Sequence, residues 1–149
     1  MDENQVKEEM GVAVQEKTEG KILELDLKKY AKPFLRISIS LLYLYFAIQQ
    51  LLFTSNWTAF VPQFVLATGI SANTFVLLNA GLELLLGIML ILGLYTRISS
   101  VILSLHLIGI AISIGFNPLG IRDLTIALAT FAIFLNGPDE LCLDKRMKE

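Results

Sequence analysis

The stretch NTFVLLNAGLELLLGIMLILGLY, residues 73–95, holds a single formal charge, Glu83, in an otherwise uncharged run. At ~1.5 Å per helical residue such a run spans the ~30 Å hydrocarbon core of a bilayer. Outward from it the pattern continues. Between residues 37 and 138 the only formal charges are Glu83, Arg97, Arg122 and Asp123, with His106 the one further group that can become charged. The chain has 149 residues, 54% of them hydrophobic and 17% charged, and a mean hydropathy of +0.63. A soluble core cannot enclose that much uncharged chain at this length. The expected fold is therefore all-α, an integral membrane four-helix bundle, with the lipid bilayer as its first partner.

Four spans are expected, at about 34–53, 73–95, 98–116 and 119–136. Pro33 is expected to open the first, because a helix's first turn has no backbone partner for a proline to remove. Only Thr96-Arg97 separates the second span from the third, which dictates an antiparallel hairpin. Residues 54–72 are interrupted by Ser55, Asn56, Pro62 and Gly69 and are too short for another crossing. With Trp57 and several phenylalanines they read as an interfacial segment between the first two spans. Residues 1–32 alternate acid and base and read as a polar cytoplasmic tail, partly disordered. Within it residues 22–30 admit a short amphipathic helix or a plain linker, and no secretory leader is expected. Residues 139–149 read as a second charged tail.

Orientation follows from the basic residues, which cytoplasmic flanks retain on insertion. Lys28, Lys29, Lys32 and Arg36 precede the first span, Arg97 follows the second, and Lys145, Arg146 and Lys148 follow the fourth. With four crossings all three places share one side, and the other side has Arg122 alone. Both ends are thus expected in the cytoplasm, in a multi-pass protein of the cytoplasmic cell membrane, with Arg36, Arg97 and Trp57 as topology signals and anchors.

An ionised carboxylate in mid-span costs ~2.5 kcal/mol or more, so Glu83 needs a compensating partner, a watery cavity or a proton. Asn79 and Gly87 lie one turn either side of it on the same face. His106 stands in the middle of the third span. Counted from the hairpin, its depth differs from that of Glu83 by roughly 5 Å, so the two can meet directly or through water. Each has a plainer reading too: a buried acid that joins helices, and a neutral histidine bonded to a carbonyl or a serine. Arg122 and Asp123 open the fourth span, where the acid suits the helix dipole and the base can reach headgroups or an anionic ligand. Tyr45 and Gln49 lie one turn apart in the first span, as a pocket wall or as interhelical hydrogen-bonding groups.

Cys142 is the only cysteine and His106 the only histidine, which excludes an intramolecular disulfide, a dithiol redox pair, and any zinc or bis-histidine haem site held by this chain alone. No metal and no tightly held cofactor is expected, and the net charge of −2 with its charges in the tails gives no support for nucleic acid binding.

Several motifs carry a resemblance. They are the arginine that opens the first span (Arg36), the Trp-x-x-Phe-Val-Pro stretch at 57–62, GLELLLGIMLILGLYTR at 81–97 and GIRDLTIA at 120–127. A closing Gly137 followed by Leu-x-Leu-Asp at 141–144 completes the set. In these the chain resembles the DoxX-like family of small four-helix membrane proteins, over about residues 34–144. The resemblance implies a membrane subunit of an oxidoreductase system, such as the quinone-coupled oxidation of thiosulfate. It makes Glu83 and Arg97 the second-span glutamate and following arginine, and Arg36 the first-span arginine. Where family members often carry a lysine late in the first span, this chain has Gln49 and Gln50. The expected function is thus support of a quinone-linked redox process, with quinone as a transient ligand, a membrane or cytoplasmic redox subunit as partner, and self-association open. The alternative from another class is a non-catalytic membrane scaffold or a small-molecule or lipid transporter. The sequence assigns no catalytic residue and leaves open whether the chain is an enzyme.

Overall fold

A computed structural model describes the backbone of residues 3–147 and the side chains of residues 14, 15 and 29–147. The expected amphipathic face at 22–28, the other tail side chains before it, and Lys148 lie outside the described residues. The helices are α1 (Glu3–Leu52), α2 (Thr54–Trp57), α3 (Gln63–Leu66), α4 (Ala72–Leu92), α5 (Thr96–Ile114), α6 (Pro118–Asn136) and α7 (Leu143–Arg146), with a 3-10 turn at Thr58–Phe60. Contacts divide the chain into two units, Met1–Lys32 and Pro33–Glu149. The first unit is helical from Glu3 onward.

Four stretches have the length and apolarity to cross a membrane: Lys29–Leu52, Ala72–Leu92, Thr96–Ile114 and Pro118–Asn136. This is the expected all-α four-helix membrane bundle. Pro33 differs from expectation, since it lies inside α1 and does not open it. A proline within a helix forgoes the bond to the carbonyl four residues earlier. Here that carbonyl is Lys29, the polar border of the span, where water is within reach.

The second unit turns apolar side chains outward, as lipid allows, and buries small, polar and apolar residues together inside. On α1 the buried stripe is Arg36, Ser40, Tyr43, Ala47 and Gln50, in alternating steps of four and three. On α5 it includes Thr96, Ser99, Ser100, Leu103, Ser104, Leu107 and Ala111, and on α6 Gly120, Asp123, Ala127, Thr130 and Ile133. Leucines and isoleucines such as Leu78, Leu85, Leu105, Ile112 and Leu128 point outward. Interior hydroxyls return their protons to carbonyls. Ser40 donates to Arg36 O at 2.7 Å, Ser100 to Thr96 O at 2.6 Å, and Ser104 crosses from α5 to Ala127 O on α6 at 2.8 Å. Gly87 lets α1 approach α4, because a Cβ there would sit 3.2 Å from Leu44 Cδ2.

The α4–α5 connection is residues 93–95, two to three residues earlier than expected, and Thr96 and Arg97 already belong to α5. Gly93 takes the left-handed conformation (φ 69°), which closes α4 by sending its N–H to Leu90 O while Leu94 N–H reaches Met89 O. Tyr95 follows with φ 46°. Its N–H and that of Thr96 donate to the two carboxylate oxygens of Asp144, at 2.6 and 2.7 Å. Asp144 therefore caps α5 from 48 residues away.

The charged tail expected at 139–149 is in fact folded onto this end of the bundle as far as Arg146. Cys142 is fully buried against Gly93, and Asp139 is 6% exposed. Asn117 and Ser71 cap α6 and α4 at the opposite end.

Candidate functional site

A cavity of about 610 Å³ occupies one half of the bundle. Its wall takes the inward residues between 42 and 50 on α1, 75 and 83 on α4, 105 and 114 on α5 and 119 and 126 on α6, and the connection after α1 covers it with Trp57, Phe60 and Phe64. Pro62 and the short turns at Thr54–Trp57 and Thr58–Phe60 break this connection into pieces, which fold back over the helix ends. Val61 and Val65 pack on Val76 of α4 and hold it there.

Glu83 lies at the inner wall, 3% exposed. Gln50 donates to its Oε2 at 2.7 Å, and Asn79 donates to its Oε1 at 3.1 Å and to Gln50 Oε1 at 2.7 Å. The three side chains close a ring in which each carboxylate oxygen accepts one amide hydrogen. The stripe spacing explains the convergence: Asn79 and Glu83 are one turn apart on α4, and Gln50 ends the inward stripe of α1.

His106 of α5 completes the group. Its Nε2 is 3.8 Å from Glu83 Oε1, outside hydrogen-bond range, and its side chain is 22% exposed. That Nε2 and Asn79 Oδ1 are buried without a hydrogen-bond partner. The imidazole thus turns one nitrogen to the carboxylate while the rest of the ring lines the cavity. This arrangement suits proton transfer, because imidazole can take a proton at one nitrogen and release one at the other.

Arg122 and Asp123 of α6 also line the cavity. Arg122 Nε donates to Asp123 Oδ1 at 2.9 Å, its guanidinium lies 5.2 Å over the Phe46 ring, and its side chain is 44% exposed beside the buried acid. Trp57 meets the same Phe46 edge-on at 5.9 Å. The wall is thus largely apolar, aliphatic and aromatic together, with a carboxylate, amides, an imidazole and a half-exposed cation set into it, a composition that admits a flat apolar ring with polar substituents. Among the described residues no three His, Cys, Asp or Glu side chains come together as metal ligands.

Of the residues singled out from the sequence, Glu83, His106, Asn79, Gln49, Arg122, Asp123 and Trp57 line this one cavity. Tyr45 does not; it is 57% exposed on the outer face of α1. Arg36 and Arg97 lie at the other end of the bundle. Arg97 is exposed beside Gly137, whereas Arg36 is buried, bonded to Asp139 and to the carbonyls of Leu90 and Ile91. Arg36 is therefore more than a topology signal. Two residues escaped the sequence reading. Gln50 could have been found from its seven-residue spacing to Tyr43 and fourteen-residue spacing to Arg36, whereas nothing local marks Asp139.

The family model described as DoxX matches residues 31–115, more than half of the chain and three of its four spans. No curated protein and no solved structure matches the chain.

Proposed function

Since the chain belongs to the DoxX family of membrane proteins, we propose that it serves a quinone-linked redox process in the cytoplasmic membrane, binding a quinone-type ring in the cavity beside its aromatic residues. Quinones carry two electrons together with two protons. The chain's part is to hold the ring among Phe46, Trp57 and Phe75 and to exchange protons through His106 and Glu83. Electrons come from a partner subunit, in the membrane or at its cytoplasmic face. The observation that carries this reading is the buried His106 Nε2, unpartnered among the described residues, at 3.8 Å from Glu83 Oε1 beside a cavity with ample room for such a ring. Gln50 and Asn79 support it by fixing both carboxylate oxygens. The orientation proposed, with both ends in the cytoplasm, draws on Arg36, Arg97, Lys145 and Arg146, whose segments meet at one end of the bundle.

Trp57 is the only tryptophan and part of the cavity wall, so it reports on occupancy. The protein in lipid nanodiscs, titrated with a short-chain quinone, is expected to show saturable quenching of Trp57 fluorescence, weakened in Glu83→Gln and His106→Phe. Quenching no different from that of free indole in the same nanodiscs sinks the reading. The competing reading is a lipid or small-molecule carrier, which the largely apolar wall also suits. It predicts that quinones and quinone-free isoprenoid lipids compete equally for the site.

A further inference from the structure

The cavity stops abruptly. Its lining ends at Leu42 on α1, Glu83 on α4, Leu105 on α5 and Ile126 on α6, so every span contributes from one half alone. The wall is buried at Tyr43 and Glu83 and exposed at the connection that covers it. Tyr43 and Glu83 are 2% and 3% exposed, while Phe60 and Phe64 are 45% and 68% exposed. From Tyr43 to the end of α1 at Leu52 the helix rises ~14 Å, about half of a hydrocarbon core.

Three layers fill the other half. The first is Tyr43, whose hydroxyl is 3.1 Å from Thr130 Oγ1 and so ties α1 to α6. The second is the apolar packing of Leu86, Leu90, Leu103 and Ile133. The third is Arg36, which donates to Asp139 Oδ2 at 2.7 Å and to the carbonyls of Leu90 and Ile91 at 2.7 and 2.6 Å. The segment after α6 holds this layer shut. Cys142 Sγ accepts from Asp139 N–H and from Thr96 Oγ1, and Asp144 grips the start of α5.

We infer that the cavity is a half-channel, exchanging its contents at the Trp57–Arg122 face of the membrane alone, and that residues 139–144 locked by Arg36 are the seal on the other face. A packed apolar layer excludes water and the ions and protons that travel with it, and the Arg36–Asp139 pair fixes the segment that closes it. Whatever the cavity binds therefore enters and leaves by one face. The inference holds whether the occupant is a quinone or another amphiphile.

The protein's own thiol reports on the seal. In sealed vesicles the wild type, treated with a membrane-impermeant maleimide on either side, is expected to leave Cys142 unlabelled. Ser113→Cys and Gln49→Cys add thiols to the cavity wall, and Met147→Cys marks the sealed end by a residue 66% exposed. The two wall thiols are expected to react only from the side opposite to that on which Met147→Cys reacts. Asp139→Asn, which removes half of the lock, is expected to turn Cys142 from unreactive to fully labelled from the Met147 side. Gly93→Ala is expected to do the same by displacing Cys142 and serves should Asp139→Asn not assemble. Labelling of a wall thiol from the Met147 side, or from neither side, overturns the half-channel. Protection of Cys142 in both seal variants overturns the seal.

Discussion

The two halves of this bundle are built from the same residue types and finish differently. At the Arg36 end the polar groups close on one another: the guanidinium has a carboxylate and two carbonyls, Asp139 also accepts from Leu141 N–H, and Asp144 has two backbone donors. At the Trp57 end they do so only in part: Glu83 holds an amide on each oxygen and Arg122 pairs with Asp123, but the group is not complete. Both buried side-chain atoms without partners among the described residues, Asn79 Oδ1 and His106 Nε2, lie there beside a cavity. Leaving a buried polar atom unpaired costs ~1 to 3 kcal/mol, and such a cost is carried where a site has work to do. The difference teaches that an intramembrane charge is not by itself a sign of function. What separates Arg36 from Glu83 is whether its surroundings are complete.

The largest effects should therefore come from the closed half. Arg36→Leu strands Asp139 and frees the last carbonyls of α4, and removing one partner of a buried ion pair costs ~3 to 5 kcal/mol. Thermal unfolding in detergent measures it, and a loss no larger than that of an exposed substitution would merge the two halves into one class. The pair also has a pH signature. Burial pushes the Asp139 carboxyl up, but the hydrogen bonds from Arg36 and Leu141 and the guanidinium charge outweigh it and hold the group below its ordinary value. A lowered acid stabilises fully above the unfolded value of ~3.9 and stops contributing as pH falls through the folded one. For this pair the melting temperature should be level from neutral down to about pH 4 and fall below it. In Asp139→Asn that acidic fall should shrink.

Next comes Gly93→Ala. At φ 69° a side chain is strained by ~1 to 3 kcal/mol, and its Cβ would fall 2.6 Å from Cys142 Cα. Both terms loosen the segment that caps α5. The variant should unfold at lower temperature and lose protection at residues 139–144 in hydrogen exchange, while quinone quenching of Trp57 stays as in the wild type. Changed quenching would show that the halves are coupled.

This contrast also marks what the sequence could disclose. The four spans and their hairpin are legible because hydropathy is a local sum over some twenty residues, and Glu83, His106 and Arg122 stand out as charges or titratable groups in apolar runs. Residues 139–144 are not legible. Their polarity reads as a tail, since nothing within a few positions of Asp139 discloses an arginine 103 residues earlier. The proline at 33 misleads for a related reason: it marks helix starts in general, yet a helix can carry it where one lost bond is solvated. The register of α1 is a subtler case. Tyr45 and Gln49 form a plausible polar seam, but the burial stripe through Tyr43 and Gln50 lies more than ~100° away around the helix, and a helix wheel drawn without its neighbours does not settle which seam faces inward.

That register can be tested by the smaller effects. Glu83→Leu removes the acceptor of both Gln50 and Asn79, stranding two buried donors at ~1 to 3 kcal/mol each, whereas Glu83→Gln keeps the shape and one acceptor and should lose little stability while weakening quinone binding. Gln50→Leu cuts the ring at a single point. It frees one oxygen of Glu83 and one hydrogen of Asn79, so it should cost ~1 to 2 kcal/mol and weaken quenching of Trp57 along with it. Tyr45→Phe is the last of the series. Its side chain is 57% exposed, outside the cavity, and touches Phe46 only edge-on at 5.6 Å, a contact the phenyl ring keeps. The expected change is within ~0.5 kcal/mol, with unaltered quenching. If Tyr45→Phe weakened quinone binding and Gln50→Leu did not, the inward face of α1 would be the Tyr45–Gln49 seam, and Glu83 would need a different partner in the bilayer.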